Sequence, residues 1–212
     1  MALAKICGLS TPSAVDAALA GGAAFVGFVF FGSSPRAIAP GLSARLAEPA
    51  RSKAKVVAVT VDPDDALIER LMAELAPDFI QLHGTETPNR VREIAARSGA
   101  GVIKALAIAE AGDIEAAGAY DGAADHLMFD AKAPQAASRP GGLGAAIDWS
   151  LLAGRRFTRP WFLAGGLDPW NVAAAVEASG APMVDVSSGV ERGAGLKDPA
   201  LITRFLDALG RA

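Results

Sequence analysis

The chain has 212 residues, of which 51% are hydrophobic and 20% charged, a composition that excludes an intrinsically disordered protein. Its 20 basic and 23 acidic residues give a net charge of -3, which argues against non-specific binding to nucleic acid. One cysteine and 2 histidines exclude a disulfide framework and a cysteine-rich zinc site, and no bound metal is expected.

The first ten residues contain a lysine and no long apolar stretch, so they do not form a signal peptide. No segment approaches the roughly 18 consecutive apolar residues of a candidate transmembrane helix. We therefore expect a cytoplasmic protein with a reduced thiol and no membrane contact.

Short apolar segments recur along the chain, and most are continuous in apolar residues rather than alternating. Continuous apolar character is typical of strands that are covered on both faces, as in a parallel sheet. The eight predicted strands are Ala2–Cys7, Phe25–Phe30, Val56–Val61, Phe79–Leu82, Val102–Leu106, Leu127–Phe129, Trp161–Ala164 and Met183–Val186.

Segments with helical periodicity lie between these strands, and several begin at a capping residue or a proline. The first predicted helix is capped by Thr11 or Ser13 and ends at Gly21. The others are Ala66–Leu75 after Asp62 and Pro63, Asn89–Arg97 after Thr87, Trp170–Ala178 after Asp168, and Ala200–Leu209 after Asp198. After the sixth strand we predict a long loop, residues 132–144, and a helix limited to Asp148–Leu152.

Eight strands in this length correspond to about 26 residues per strand–helix unit, which suits a compact α/β barrel. We therefore predict one domain over residues 1–212, a (β/α)8 TIM barrel with right-handed crossovers. A doubly wound open sheet is the alternative. It would usually have fewer strands, and no glycine-rich dinucleotide turn follows the first strand.

Polar side chains fall at the C-terminal ends of several predicted strands, where the active sites of such barrels lie. Each has a structural explanation when taken alone, because a lone cysteine is usually buried and a lone loop arginine is usually solvated. Their equivalent positions on several strands together predict a site. These residues are Cys7, Arg36, His83, Asp130 and Asp185.

Two glycine-containing loops follow the seventh and eighth strands. Gly165 and Gly166 allow backbone N–H groups to approach a ligand closely, and Ser188 and Gly189 open a short helix. Phosphate sites in these barrels commonly lie after strands 7 and 8, so we favour phosphate binding over two ordinary turns. A third glycine cluster, Gly141–Gly144, is less specific and lacks the lysine of a nucleotide-binding loop.

Two further residues have no assigned function. His126 begins the sixth strand and is expected at the opposite end of the barrel, which contributes to stability. Lys104, in the fifth strand, could face the barrel interior in an ion pair or touch the substrate, and the sequence leaves both interpretations open.

Over nearly its whole length, the chain resembles the phosphoribosylanthranilate isomerase family of tryptophan biosynthesis. Each motif is short, but their order and spacing together are specific. The motifs include Lys5-Ile6-Cys7-Gly8, Ser34-Pro35-Arg36, Gln81-Leu82-His83-Gly84 with Glu86, Asp130-Ala131-Lys132, Leu163-Ala164-Gly165-Gly166-Leu167 and Val184-Asp185-Val186-Ser187-Ser188-Gly189-Val190-Glu191 with Lys197.

The resemblance implies an aldose–ketose isomerase that uses neither a metal nor an organic cofactor. Its reaction is the Amadori rearrangement of N-(5-phosphoribosyl)anthranilate to 1-(2-carboxyphenylamino)-1-deoxyribulose 5-phosphate. Transferred by motif, Asp130 is the general acid and Cys7 the general base. A thiolate at Cys7 requires a pKa below its usual range, which a nearby cation or backbone N–H groups can produce.

The resemblance also implies binding roles. Arg36 would pair with the anthranilate carboxylate, because its planar guanidinium permits a two-pronged contact. Gly165, Gly166, Ser188 and Gly189 would hold the phosphate, while His83 and Asp185 would orient ribose hydroxyls or the catalytic groups. The expected partner is this small-molecule substrate, with no obligate protein partner.

Three other interpretations remain. The Amadori isomerase of histidine biosynthesis uses aspartate at the position of Cys7 and needs a second phosphate site, which Asp62 and Asp64 would repel. A non-catalytic or differently specific phosphosugar-binding barrel would need the phosphate loops but not a facing thiol and carboxylate. A plain interaction domain leaves the polar residues at the strand ends unexplained.

Overall fold

The computed structural model describes residues 2–132 and 147–210. Eight parallel strands form a closed barrel in sequential order, which confirms the predicted fold class and excludes the open sheet. The strands are β1 Leu3–Cys7, β2 Phe25–Val29, β3 Lys55–Thr60, β4 Phe79–Leu82, β5 Gly101–Ile108, β6 His126–Ala131, β7 Trp161–Leu163 and β8 Met183–Val186.

Helices follow most strands and cover the outside of the barrel. They are α1 Pro12–Ala20, α2 Pro40–Ala47, α3 Asp65–Glu74, α4 Pro88–Ser98, α5 Ala111–Glu115, α6 Val172–Ser179 and α7 Pro199–Leu209. The helix predicted after the sixth strand is a single 3-10 turn, Trp149–Leu152. No helix within the described ranges is long and apolar enough to cross a bilayer.

The sequence analysis missed α2 and α5, although Pro40 begins α2 and Asp113 forms a capping box at the start of α5. No side chain caps α2, and α5 is only 5 residues long. It also misplaced the starts of α3 and α6. Asp64 caps α3 by accepting from the Leu67 N–H at 2.8 Å. Asp168 instead forms a turn before α6, where it accepts the Trp170 N–H at 2.7 Å.

A two-stranded hairpin, β9 Glu191–Gly193 and β10 Leu196–Lys197, follows β8 and was not predicted. It packs against the loop after β2: Gly195 has a φ of 79°, and any Cβ there would collide with the Pro35 carbonyl. The hairpin therefore brings charged side chains from beyond the last strand to the C-terminal end of the barrel.

The side chains of each strand alternate between two hydrophobic layers, as strand geometry requires. Ile103 and Ala105 belong to the cluster inside the barrel, which places Lys104 between them on the outer face. There Lys104 Nζ lies 2.6 Å from Glu86 Oε2 and 2.8 Å from the Gly84 carbonyl. Lys104 thus forms the ion pair considered above, but outside the barrel rather than in its interior.

His126 lies at the N-terminal end of the barrel, as predicted. Its ring packs at 5.1 Å from Phe79, 5.8 Å from Phe162 and 6.3 Å from Phe25, between ring centroids. Burial lowers the pKa of His126, although Asp125 partly opposes this effect. This end of the barrel is an aromatic cluster that favours the neutral imidazole.

Candidate active site

Cys7 ends β1 and lies on the interior face of the barrel together with Lys5, two residues earlier. Lys5 is fully buried, and its Nζ lies 2.7 Å from Asp185 Oδ1 on the neighbouring strand β8. On the other side, Cys7 is in register with Gly27 of β2. The predicted site residues Cys7 and Asp185 are therefore joined through Lys5.

The electrostatic balance at Cys7 opposes the expectation of a stabilised thiolate. Burial raises the pKa of the thiol, and the charge of Asp185 raises it further. Lys5 lowers it through its charge and a hydrogen bond, but burial dominates and the pKa lies above its usual range. Burial also lowers the pKa of Lys5, but Asp185 and Cys7 more than compensate, so Lys5 carries its charge.

Asp130 lies near the end of β6, is buried, and is held on both carboxylate oxygens. Its Oδ1 accepts the Ala131 N–H at 2.8 Å, and its Oδ2 lies 3.0 Å from His83 Nε2. The other ring nitrogen of His83 lies 3.0 Å from Gln81 Nε2. His83 therefore bridges Gln81 of β4 and Asp130, which fixes the carboxyl group in one orientation.

Arg36 lies in the loop after β2 and is buried. Its Nε and Nη2 donate to the two oxygens of Glu191 at 2.6 and 2.9 Å, a two-pronged pair with the β9–β10 hairpin. Lys197 Nζ contacts Glu191 Oε1 at 2.5 Å and the Ser187 carbonyl at 2.8 Å. Burial opposes ionisation of Glu191, but these two cations keep its pKa below the usual range.

The two predicted phosphate loops lie side by side. Gly165 and Gly166 both have positive φ, 87° and 66°, which favours glycine. The position of a Gly165 Cβ lies only 3.0 Å from Asp130 Oδ1, and Gly189 packs directly against the Leu167 carbonyl. Among hydrogen bonds within residues 2–132 and 147–210, none uses the N–H of Gly165, Gly166, Ser188 or Gly189.

Ser188 does open a short 3-10 helix, Ser188–Val190, as the sequence suggested. The structure thus gathers the predicted residues into one group around Cys7 and another around Asp130, both at the C-terminal ends of the strands.

The Gly141–Gly144 loop lies outside the described residues. Within the described ranges, no cluster of three or more His, Cys, Asp or Glu side chains is placed to hold a metal ion.

Four residues of these groups stand in the family motifs but were not predicted as site residues: Lys5, Gln81, Glu191 and Lys197. Alternation along β1 was a usable signal for Lys5, since residues two apart share one strand face. Glu191 and Lys197 gave no such signal, because their position depends on the hairpin folding back over the loop after β2.

Comparison with known proteins agrees with this geometry. Residues 4–208 match the sequence model of the family described as N-(5'phosphoribosyl)anthranilate (PRA) isomerase. An N-(5'-phosphoribosyl)anthranilate isomerase of Caulobacter sp. strain K31 is 69% identical over 212 residues, which is 100% of both chains. The protein of the same name from Caulobacter vibrioides is 66% identical and covers 99% of this chain and 96% of its own.

Solved structures show the same similarity. The phosphoribosyl anthranilate isomerase of Thermotoga maritima superposes with a TM-score of 0.89 at 34% identity, over 100% of both chains. Another phosphoribosyl anthranilate isomerase was solved in complex with reduced 1-(o-carboxyphenylamino)-1-deoxyribulose 5-phosphate. It has a TM-score of 0.84 at 30% identity, again over 100% of both chains.

Proposed function

Since the chain belongs to the N-(5'-phosphoribosyl)anthranilate isomerase family and acts as such an isomerase in tryptophan biosynthesis, we propose how its side chains carry out the reaction. The observation that supports the proposal is the arrangement at one end of the barrel. Asp130 lies bound to His83 and next to the Gly165 loop, and Cys7 lies beside Lys5. A carboxyl group, a thiol and backbone N–H groups that face a common end of the barrel are the parts that this Amadori rearrangement needs.

Asp130 is the general acid. It donates a proton to the furanose ring oxygen, the bond between that oxygen and C1 breaks, and C1 becomes an iminium carbon conjugated to the aniline nitrogen. His83 holds the carboxyl group at 3.0 Å, so that the proton is delivered from one fixed direction.

Cys7 is the general base. As a thiolate it removes the proton from C2 of the open-chain iminium. The electron pair of that C–H bond forms the C1=C2 double bond, and the π pair of the C=N bond moves to nitrogen, which gives a neutral enolamine. The enolamine tautomerises to the ketone when its hydroxyl loses a proton and C1 gains one. Because the iminium nitrogen of the substrate accepts the electrons, the step needs only a general acid and a general base from the protein.

The substrate is held at its two anionic ends. The phosphate is bound by the N–H groups of Gly165, Gly166, Ser188 and Gly189, which make no hydrogen bond among the described residues. Arg36, oriented by Glu191, pairs with the anthranilate carboxylate, and Asp185 orients Cys7 through its ion pair with Lys5. This is the second of the two roles that the sequence left open for Asp185.

We also propose that the whole chain, residues 1–212, is one domain. It works in the cytoplasm on this small-molecule substrate, without an obligate protein partner, nucleic acid or membrane. The reduced thiol at Cys7 and the phosphorylated sugar substrate support the location.

The test is turnover of N-(5'-phosphoribosyl)anthranilate, followed through the loss of its fluorescence. Asp130→Asn and Cys7→Ala should each lower kcat by about 10²-fold or more, the usual cost of losing a general acid or base. Asp125→Asn is the matched control, since that aspartate precedes the same strand at the opposite end of the barrel, where it accepts the Val102 N–H at 2.8 Å. Near-normal turnover in either test variant would remove that residue from its role. Binding without turnover in the wild type would favour the phosphosugar-binding alternative.

A further inference from the structure

We propose that Lys5 is a positioning residue of the isomerase: it supplies the positive charge beside the Cys7 thiol, and Gly27 leaves the space for that contact. The inference rests on the proposed role of Cys7 as the base. It identifies inside the barrel the cation that a thiolate at this position requires.

Lys5 and Cys7 approach each other beside Gly27 of β2. A Cβ added to Gly27 would lie 3.1 Å from Lys5 Nζ and 3.2 Å from Cys7 Sγ, so both atoms lie against one point of the barrel wall. A methyl group at position 27 would crowd both the ammonium and the thiol, whereas glycine leaves room for the two groups on this side of the barrel interior.

Lys5 has few partners for its charge. It is fully buried, and the carboxylate that balances it, Asp185, is 2.7 Å away. Lys197 is a second cation that acts on Cys7. That ammonium contacts Glu191 at 2.5 Å and the Ser187 carbonyl at 2.8 Å. Lys5 is the cation that lies with the sulfur against Gly27 inside the barrel.

This placement explains how a buried thiol can act as a base. Burial favours the neutral thiol, and a lone thiolate inside the barrel would be unstable. Lys5 offsets part of this cost and so retains part of the thiolate fraction that burial would otherwise remove. Lys5 stays protonated throughout: the C2 proton goes to the sulfur, and the lysine neither gives nor takes a proton.

The chain has one cysteine, so the ultraviolet absorbance of its thiolate reports on Cys7 alone once Cys7→Ser is subtracted. In Lys5→Met the thiolate should form at a pH about one unit or more above that of the wild type, equivalent to at least tenfold less thiolate. The rising limb of kcat against pH should move to higher pH by the same amount, while KM changes little. Gly27→Ala, which keeps every charge, should shift both curves in the same direction by less.

Lys104→Met is the matched control, because it removes a second buried lysine whose 2.6 Å ion pair with Glu86 lies outside the barrel. It should leave the thiolate titration unchanged. If Lys5→Met fails to fold because Asp185 is left unpaired, Lys5→Met with Asp185→Asn removes both charges. That double variant should still titrate above the wild type, because the direct contact of Lys5 outweighs the opposing charge of Asp185.

A wild-type titration in Lys5→Met, or in the double variant, would overturn the proposal. The titration uses no substrate, so its result is separate from the test of Cys7 as the base. If Cys7→Ala keeps its turnover, Cys7 is not the base. In that case Lys5 has no role in the reaction, even if Lys5→Met shifts the titration of the thiol.

Discussion

His83 Nε2 lies 3.0 Å from Asp130 Oδ2, and this contact joins the residue after β4 to the end of β6 across the mouth of the barrel. Gln81 holds the second ring nitrogen at 3.0 Å, so the imidazole can rotate only by breaking a contact. Gln81 Oε1 is buried and has no hydrogen-bond partner among the described residues, which leaves an acceptor beside the ring. The three residues form one polar unit inside the barrel, apart from the Lys5–Asp185 ion pair.

His83→Phe keeps a ring at this position but loses both contacts. Without the histidine, Asp130 is no longer held in one orientation, so we expect kcat to fall about tenfold or more with a smaller change in KM. Steady-state turnover of the isomerisation measures both constants. His83→Gln, which keeps a donor and an acceptor, should recover part of the loss. Equal kcat in the two variants and the wild type would show that the contact does not serve catalysis.

We propose above that Arg36 binds the anthranilate carboxylate. Its two-pronged pair with Glu191 fixes the plane of its guanidinium. Arg36→Lys removes the planar fork and should raise KM about tenfold or more, with a smaller effect on kcat. Glu191→Gln leaves Arg36 in place but removes the charge that orients it, so KM should rise less. Unchanged KM in Arg36→Lys would contradict the carboxylate-binding role. The exposed pair of Arg70 and Glu74, 2.7 Å apart, provides a control in which Arg70→Lys leaves both constants unchanged.

The stability of the barrel should decrease in mild acid because of His126. Burial among aromatic rings lowers its pKa below the ordinary value of about 6.5, so the unfolded chain binds this proton more readily than the folded one. The contribution is therefore fully present above that ordinary value and is lost as the pH falls toward the folded-state pKa.

Denaturant unfolding of the wild type and of His126→Phe between pH 5 and pH 8 (about the range in which histidine titrates) measures this effect. The wild type should lose more of its free energy of unfolding on acidification than the variant does. The acidic residues remain in both proteins, so their common pH dependence cancels in the difference. Parallel curves would show that His126 does not titrate differently on folding.

The sequence by itself determined the strand order and most of the site. Continuous apolar segments separated by capped helices predicted a parallel barrel, because a strand covered on both faces cannot alternate with polar residues. The same topology places Cys7, His83 and Asp130 at one end, since parallel strands deliver their C-terminal ends to a common edge. The motifs that carry the family resemblance then identified the chemistry.

Only the tertiary structure decided how the charges are paired. Lys5 meets Asp185 across the closing contact of β1 with β8, two segments at opposite ends of the chain. Arg36 meets Glu191 because the β9–β10 hairpin folds back over the loop after β2, and Lys104 faces outward because of the register of its strand. Such pairings depend on long-range closure, whereas local patterns report only which face of a strand or helix is buried.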